Sequence, residues 1–128
     1  ILGVLDVDLF IPIRTFVFGE AQLQGIGAVV SVHRLQSRFY GLPEDREATR
    51  NRLLKEAVHE LGHTFGLIHC AIPGCVMNSS TYVENIDQKS ADFCPSCRKR
   101  VTGQKADANT VFSFSWWGKA RKIGRKDR

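Results

Sequence analysis

The sequence has 128 residues, of which 43% are hydrophobic, and this is enough to build one domain around a single core. No apolar run reaches the ~18 residues that a membrane-spanning helix needs, so we expect a soluble chain without a membrane partner. The net charge of +5 does not describe a uniformly basic domain, because residues 98–128 carry ten Lys or Arg and two Asp, whereas residues 1–97 are acidic on balance.

Three strands are predicted in the N-terminal part of the chain. Residues Leu2–Phe10 alternate aliphatic side chains with aspartates and end at Pro12, which indicates a strand whose end turns polar. The short stretch Phe16–Ala21 is typical of an edge strand, since it contains a glycine and a glutamate. After a glycine-rich turn, Ala28–Leu35 has an apolar centre that suits a sheet covered on both faces, and His33 is interpreted as an ordinary strand residue.

A long helix is predicted from about Pro43 to Phe65. Proline is tolerated in a first helical turn, and the acidic residues that follow Pro43 suit the positive end of the helix dipole. Gly66 can adopt the left-handed conformation that ends a helix. At 1.5 Å per residue this helix would be about 33 Å long. An apolar stripe with spacings of three and four is expected to pack in the core, and it comprises Leu53, Leu54, Ala57, Val58, Leu61 and Phe65.

The C-terminal end of this helix carries a histidine and glutamate motif. His59 and His63 are four residues apart, which places both imidazoles on one helix face with Cβ atoms about 5–6 Å apart. Glu60 is rotated by about 100° from His59 and would lie beside a shared metal ion, where a general base belongs. The turn at Gly66 allows His69 to return as a third ligand, and these intervals form the extended zinc-protease motif. The alternative is that surface histidines share the helix by chance.

All four cysteines follow the third histidine, in the order Cys70, Cys75, Cys94 and Cys97. Cys-x4-Cys, an eighteen-residue gap and Cys-x2-Cys supply two pairs of sulfurs, which is what a tetrahedral structural zinc site requires. Two disulfides in a secreted domain are the alternative. Because Cys70 directly follows His69, a metal bound at the cysteines would also brace the chain that presents the third histidine. Zinc-binding cysteines suit a reducing compartment, so we expect a cytoplasmic protein.

The combined spacing resembles that of the archaemetzincins, a branch of the metzincin zinc metallopeptidases. The similarity extends from about Leu2 to Cys97. The resemblance implies two zinc ions, a catalytic one on the three histidines and a structural one on the four cysteines. It also implies that Glu60 is the base and that Met77 lies in a methionine turn beneath the catalytic metal. The pattern that carries the resemblance is His59-Glu60-x-x-His63-x-x-Gly66-x-x-His69-Cys70-x4-Cys75-x-Met77, followed by Cys94-x2-Cys97.

The fold class implied by the resemblance is α/β (α+β), a metzincin-like zincin domain. It would contain a mixed twisted sheet with one antiparallel edge strand, a long active-site helix and a zinc-knuckle C-terminal subdomain. Residues 1–69 would form the sheet and helix and residues 70–128 the C-terminal subdomain, within one structural domain. The family begins with a strand, a helix and another strand that this sequence lacks. Since Met77 is the only methionine and the chain opens with Ile1, we expect that an upstream part is missing.

The predicted edge strand is a candidate rim for the substrate. The unpaired backbone groups of an edge strand can bind an extended peptide by strand addition, and in metzincins the matching strand has this role. A covered or blunted edge is the alternative. The residues of this candidate rim are Phe16, Val17, Phe18, Gly19 and Glu20.

The region after Met77 contains fewer signals. Residues 78–92 are polar and are predicted to form a loop, in which Tyr82 is expected to be a surface residue. A short basic helix is predicted after Cys97 and is expected to end near Gly103.

The C-terminal end has two parts. The aromatic stretch Val111–Trp117 is expected to dock against the core, because so much aromatic surface is rarely left in water. The basic stretch Lys119–Arg128 is expected to be mobile.

The predicted function is that of a zinc-dependent metallopeptidase, monomeric, that cleaves peptide or protein substrates with Glu60 as general base and acid. The alternative is a catalytically restricted or silent zinc protein that binds nucleic acid or an acidic partner through its basic C-terminal region.

Overall fold

The computed structural model describes residues 1–107. In chain order, the strands and helices are β1 (Leu2–Leu5), β2 (Leu9–Ile11), β3 (Arg14–Val17), β4 (Gly19–Ala21), β5 (Ala28–Ser31), α1 (Arg46–Thr64), α2 (Val83–Gln88) and α3 (Pro95–Asp107). Two short 3₁₀ turns, His33–Leu35 and Ser37–Tyr40, connect β5 to the segment before α1. Within the described residues, no helix has the length and apolarity that crossing a membrane would require.

A three-stranded mixed sheet has the order β1-β5-β4. Strand β1 pairs in parallel with β5, with Leu2 opposite Ala28, and β4 pairs with β5 in the antiparallel direction, with Gly19 opposite Val30. Strand β4 is therefore an antiparallel edge strand, and α1 packs across β4 and β5. Strands β2 and β3 form a separate antiparallel hairpin. The predicted fold class, a mixed sheet with one antiparallel edge strand and a long helix, is confirmed.

The first predicted strand is wrong in its extent, because Leu2–Phe10 is divided into β1 and β2. The chain bends between them, where the carbonyl of Val7 accepts a hydrogen bond of 2.5 Å from Ser31 Oγ. Asp8 binds Arg34 with two hydrogen bonds of 2.6 and 2.9 Å. These contacts join residues more than twenty positions apart in the sequence, and a local hydrophobic pattern carries no information about them.

Two further strand boundaries differ from the prediction. Phe16–Ala21 is interrupted at Phe18, so that its first part pairs with β2 and its second part with β5. The strand predicted over Ala28–Leu35 ends at Ser31, and His33 lies in a 3₁₀ turn rather than in a strand. The Nδ1 atom of His33 lies 3.3 Å from the carboxylate of Asp6.

Helix α1 begins later than predicted because Asp45 caps it. The Asp45 side chain accepts a hydrogen bond of 3.1 Å from the N–H of Ala48, as an N-cap residue does. With 19 residues the helix is about 28 Å long instead of 33 Å. Its end is as predicted: Gly66 has φ +96°, and the N–H groups of Gly66 and Leu67 bind the carbonyls of His63 and Gly62.

The apolar stripe predicted for α1 is only partly a core stripe. Leu54 is 53% exposed, so its assignment to the core is wrong. The residues that the helix buries are mostly polar, because Glu56, His59 and Glu60 line a cleft beside the sheet instead of an apolar core. The buried residues of the helix are Glu56, His59, Glu60, Gly62 and Thr64.

Two apolar clusters stabilise the described part of the chain. The first lies between the hairpin, α1 and α2 and consists of Phe18, Leu35, Val83 and Ile86. The second surrounds the cysteines and consists of Phe65, Leu67, Cys75, Val76, Met77, Cys94, Cys97 and Val101.

The loop predicted over residues 78–92 contains a helix, so this prediction is wrong in part. Val83 and Ile86, three residues apart, bury one face of α2. The side-chain oxygen of Asn85 accepts hydrogen bonds from the N–H groups of Thr81 and Tyr82, so these two donors at the start of the helix have an acceptor.

The C-terminal predictions have mixed outcomes. The basic helix after Cys97 exists, but α3 continues to Asp107 and does not end at Gly103. The stretches Val111–Trp117 and Lys119–Arg128 lie outside the described residues. The division of the chain at residues 69 and 70 stays a prediction.

Candidate active site

Three imidazole rings meet at the C-terminal end of α1. Their ligand atoms lie within 4.8 Å of one another, and the ring centroids are 4.8 to 5.3 Å apart. His59 and His63 project from one face of the helix. His69 reaches the same point because the chain reverses at Gly66.

Backbone carbonyls fix the orientation of the two helical histidines. His59 Nδ1 lies 2.8 Å from the carbonyl oxygen of Val76, and His63 Nδ1 lies 2.7 Å from that of Leu67. A carbonyl oxygen only accepts hydrogen bonds, so each Nδ1 carries the proton and each Nε2 presents its lone pair to the centre. Burial, and next the nearby Lys89 ammonium, lower the pKa of His59 to about 3, which keeps the ring neutral at neutral pH.

This donor set fits a zinc ion. The Nε2 atoms of His59 and His63 are 3.3 Å apart with their lone pairs turned towards each other, an arrangement that a shared cation stabilises. A tetrahedral zinc with Zn–N bonds of about 2.0–2.1 Å separates two nitrogen ligands by about 3.3–3.4 Å. Each of these two rings also donates its Nδ1–H to a backbone carbonyl, as metal-binding histidines usually do.

Glu60 lies beside this centre in a buried position. Its side chain is packed against the backbone of β4: a Cβ atom at Gly19 would lie 2.9 Å from Glu60 Cγ and 3.0 Å from Oε2. Burial, followed by the negative charges of Glu56 and Glu20, raises the pKa of Glu60 to about 8, and Lys89 opposes this rise. The Glu60 carboxylate is therefore a stronger base than that of an exposed glutamate.

Met77 lies below the same helix. It is fully buried, and its side chain contacts α1 at Gly62, the position between the two helical histidines. The family resemblance implies that Met77 lies beneath the catalytic metal, which stays a prediction, and the structure places Met77 against the helix that carries two of the three imidazoles.

The four cysteines form a second cluster of ligand atoms. Their sulfur atoms lie within 4.8 Å of one another, and all four are free thiols in the described structure. Cys70 Sγ and Cys94 Sγ are 3.9 Å apart, far more than a disulfide length of about 2.05 Å. A tetrahedral zinc with Zn–S bonds of about 2.3 Å separates two sulfurs by about 3.8 Å, so the set fits zinc.

Backbone N–H groups point at the sulfurs of this cluster. Those of Met77 and Cys94 approach Cys75 Sγ at 3.4 and 3.3 Å, and that of Cys97 approaches Cys94 Sγ at 3.4 Å. Such donors stabilise thiolates, and the N–H of Cys97 is the largest cause that lowers the pKa of Cys94 to about 7.

A cleft of about 770 Å³ opens in front of the three histidines. The predicted rim residues Phe16, Val17, Phe18, Gly19 and Glu20 all line it, and Phe18 is at the same time 4% exposed and part of the core. Tyr82 is 63% exposed, as expected for a surface residue.

Among the described residues, no strand pairs with the outer edge of β4, and this free edge lies along the cleft. Phe18 accepts a hydrogen bond from the N–H of Ser31, and Gln22 donates one to Gly27, each 2.9 Å long. Hydrogen-bonded pairs alternate along an antiparallel ladder, so the N–H and C=O groups of Gly19 and Ala21 point away from β5. These groups are available to an additional extended strand.

Two residues of the site were missed by the sequence analysis. Glu56 is 3% exposed, lines the cleft and forms an ion pair of 3.1 Å with Lys89, which is 4% exposed. The spacing of four between Glu56 and Glu60 is a usable signal, since both residues must share a helix face. No sequence signal indicates Lys89, which comes from the segment interpreted as a loop.

The fold and the donor set together define the metzincin class of zinc metallopeptidases. The sequence pattern of peptidase family M54 matches residues 1–103. The archaemetzincin of Methanocaldococcus jannaschii is 45% identical over 101 residues, which are 79% of this chain and 56% of that protein. The archaemetzincin of Pyrococcus furiosus is 46% identical over 102 residues, 79% of this chain and 53% of that protein.

Solved structures give the same result. The zinc-dependent peptidase of Methanocorpusculum labreanum has a TM-score of 0.76 and 44% identity, covering 78% of this chain and 52% of that one. The archaemetzincin of Methanopyrus kandleri has a TM-score of 0.73 and 44% identity, covering 80% of this chain and 53% of that one. The chain therefore belongs to peptidase family M54, the archaemetzincins. It spans about half the length of the curated relatives it matches.

Proposed function

We propose that this chain hydrolyses peptide bonds as a zinc-dependent metallopeptidase, with Glu60 as general base and then general acid. The observation that carries the proposal is a buried carboxylate held beside three imidazoles whose ligand nitrogens converge. Family membership supports a zinc peptidase. The specific role of Glu60 is our inference from its position.

His59, His63 and His69 would hold the catalytic zinc through their converging nitrogens. A zinc ion bound there would supply Lewis acidity, which would lower the pKa of a water molecule and polarise a peptide carbonyl. Glu60 accepts the proton of the attacking water and returns it to the leaving amine. The burial that raises the pKa of Glu60 also makes its carboxylate a stronger base than that of an exposed glutamate.

The free edge of β4 supports a peptide or protein as the substrate. The outward N–H and C=O groups of Gly19 and Ala21 can pair with an extended backbone, which orients the scissile bond in front of the histidines. Backbone pairing is independent of side chains, so it provides affinity without setting sequence preference.

A second zinc ion on Cys70, Cys75, Cys94 and Cys97 would stabilise the catalytic site, giving two zinc ions per chain. Cys70 is bonded to His69, and Cys75 is bonded to Val76, whose carbonyl orients His59. Fixing these two sulfurs therefore fixes two of the three imidazoles. Free thiols also support the proposed cytoplasmic location, and we propose that the enzyme is a monomer.

The test compares Glu60→Ala with the unchanged chain on a broad peptide pool, with zinc content measured on both. We expect two zinc ions per chain in both proteins and about 10²–10⁴-fold slower cleavage by the variant. Glu47→Gln is the matched control, because Glu47 is an exposed glutamate of the same helix. Equal cleavage by Glu60→Ala at full zinc content would show that another group serves as the base.

Nothing in the described residues favours nucleic-acid binding as the main function. That alternative depends on the basic residues 98–128, most of which lie outside the described part of the chain. It remains testable as a gel shift that disappears when residues 98–128 are deleted.

A further inference from the structure

Lys89 places a buried ammonium group behind the candidate active site. Its side chain is 1% exposed, and its Nζ atom contacts two other parts of the chain, α1 and the segment that follows Met77. Nζ donates a hydrogen bond of 2.9 Å to the carbonyl of Asn78, lies 3.1 Å from Glu56 Oε2 and lies 3.5 Å from His59 Nδ1. Lysine is rarely buried without a compensating partner, because removing its charge from water is costly.

The ion pair with Glu56 connects Lys89 to α1. Glu56 is 3% exposed and lines the cleft one helical turn before Glu60. An isosteric apolar pair would fill this space at comparable stability, since buried ion pairs usually add little to folding. Stability alone therefore does not account for the pair of Glu56 and Lys89. The neighbouring groups, His59 and the Asn78 carbonyl, indicate a role in the active site.

The hydrogen bond with Asn78 connects Lys89 to the wall of the cleft. Ser79, Ser80 and Thr81, which line the cleft, directly follow Asn78. The Asn78 side chain binds the carbonyls of Cys70 and Ile72, both at 2.8 Å, so this residue is fixed to the cysteine loop as well. Lys89 is thus the junction between α1, the end of α2 and the segment that follows Met77.

We propose that Lys89 is a positioning residue of the peptidase site. Lys89 holds Glu56 and the Asn78 carbonyl at a fixed separation. This keeps the His59 ring in position relative to the other two imidazoles, and it keeps residues 79–81 in place at the wall of the cleft. Lys89 does not hold the His59 ring by a hydrogen bond, because His59 Nδ1 already donates to Val76. This inference rests on the proposed function, but its principal readout, zinc affinity, does not require peptidase activity.

The test uses the full chain with three variants of the lysine contacts, and a fourth variant assigns the measured zinc to its site. Lys89→Met removes the ammonium and leaves a buried carboxylate, so this variant alone could lose stability for a trivial reason. Glu56→Gln combined with Lys89→Met removes both charges and is expected to recover a Tm close to that of the unchanged protein. Lys55→Met is the matched control: Lys55 is a partly buried lysine of α1 that donates a hydrogen bond to a carbonyl of α2, that of Ile86 at 3.1 Å.

The zinc dissociation constant is measured by competition with a chromophoric chelator, and a His63→Ala variant identifies which zinc belongs to the histidines. We expect the double variant to bind that zinc about 10–100-fold more weakly, as for other residues that orient metal ligands. We also expect a raised KM, because the cleft wall loses its anchor, and no change in either quantity for Lys55→Met.

Two results would overturn the proposal. One is a stable double variant with unchanged zinc affinity and unchanged KM, which would reduce the pair to a structural feature. The other is an equal loss of zinc affinity in Lys55→Met, which would show a general effect of removing lysine contacts between α1 and α2. If the unchanged chain cleaves no peptide, the proposed function fails, while the zinc affinities still decide the role of Lys89.

Discussion

Met77 Sδ is packed so closely against Gly62 that a Cβ atom at position 62 would lie 2.6 Å from the sulfur. Met77 is fully buried among the residues of the cysteine cluster, and Phe93 Cε1 would lie 3.3 Å from the same Cβ, so the sulfur has little room to move. The absence of a side chain at Gly62 thus permits α1 to rest on Met77 between its two helical histidines.

Replacing Gly62→Ala is expected to destabilise the protein by about 1–3 kcal/mol, the usual cost of overpacking a dense core. Thermal unfolding and zinc content measure the effect, and we expect weaker binding of the histidine-bound zinc. Gly103→Ala is the control, since a Cβ there meets nothing within 4 Å. Equal Tm values for Gly62→Ala and the unchanged protein would mean that the Met77 side chain can move aside without a loss of stability.

Gly19→Ala is expected to impair catalysis without removing zinc. The new Cβ would lie 2.7 Å from the carbonyl oxygen of Val29 and 2.9 Å from Glu60 Cγ, so either the edge strand or the glutamate must move. A displacement of about 1 Å can cost up to about 100-fold in rate. Steady-state kinetics and zinc content test this, with Gly3→Ala as the control, because its Cβ would lie 3.5 Å from Val29 Cγ1. An unchanged kcat for Gly19→Ala would contradict the close packing of Glu60.

Replacing Cys97→Ser is expected to weaken both metal sites. One ligand of the cysteine cluster is lost, and the segments that carry His69 and the Val76 carbonyl are no longer fixed by the neighbouring sulfurs. We therefore expect less than one zinc ion per chain and reduced peptidase activity at limiting zinc. Elemental analysis after dialysis measures the stoichiometry. A variant that retains one tightly bound zinc and full activity would show that the two sites are independent.

The Asp8–Arg34 pair is expected to stabilise the protein in a pH-dependent way. The hydrogen bond from Arg34 lowers the pKa of Asp8 below its usual value. A carboxyl group with a lowered folded-state pKa contributes stability that is fully present above its unfolded pKa of about 3.9 and is lost as the pH falls through the folded value.

The test of this pair compares the Tm of Asp8→Asn with that of the unchanged protein between pH 7 and pH 3. We expect the variant to be less stable at pH 7, and the difference to shrink as the pH falls below about 3.9, because Asp8 then binds a proton in the unfolded state before it does so in the folded state. Asp6→Asn is the control, because the Asp6 side chain is 57% exposed. A Tm difference that does not change with pH would exclude an electrostatic origin.

What the sequence predicts well depends on local geometry. The spacing of His59 and His63 follows from 3.6 residues per turn, and the helix end at Gly66 follows from the conformational freedom of glycine. The edge position of β4 follows from its short, glycine-containing sequence. These features need no knowledge of distant parts of the chain.

What the sequence does not predict depends on contacts between distant residues. The bend between β1 and β2 coincides with a hydrogen bond from Ser31 to Val7, and the buried pair of Glu56 and Lys89 joins residues 33 positions apart. Helix α2 was missed because only Val83 and Ile86 are apolar and buried in it, too few for a visible period.

The chain reversal at Gly66 also has a consequence for the order in which the two metal sites can assemble. All three imidazole donors come from eleven consecutive residues, whereas the two cysteine pairs are separated by eighteen residues. Closing a short loop costs less entropy than closing a long one, and contacts local in sequence form early in folding. We therefore expect a newly synthesised chain to bind its first zinc ion at the histidines. The cysteine site would then form later, next to a segment that this ion has already ordered.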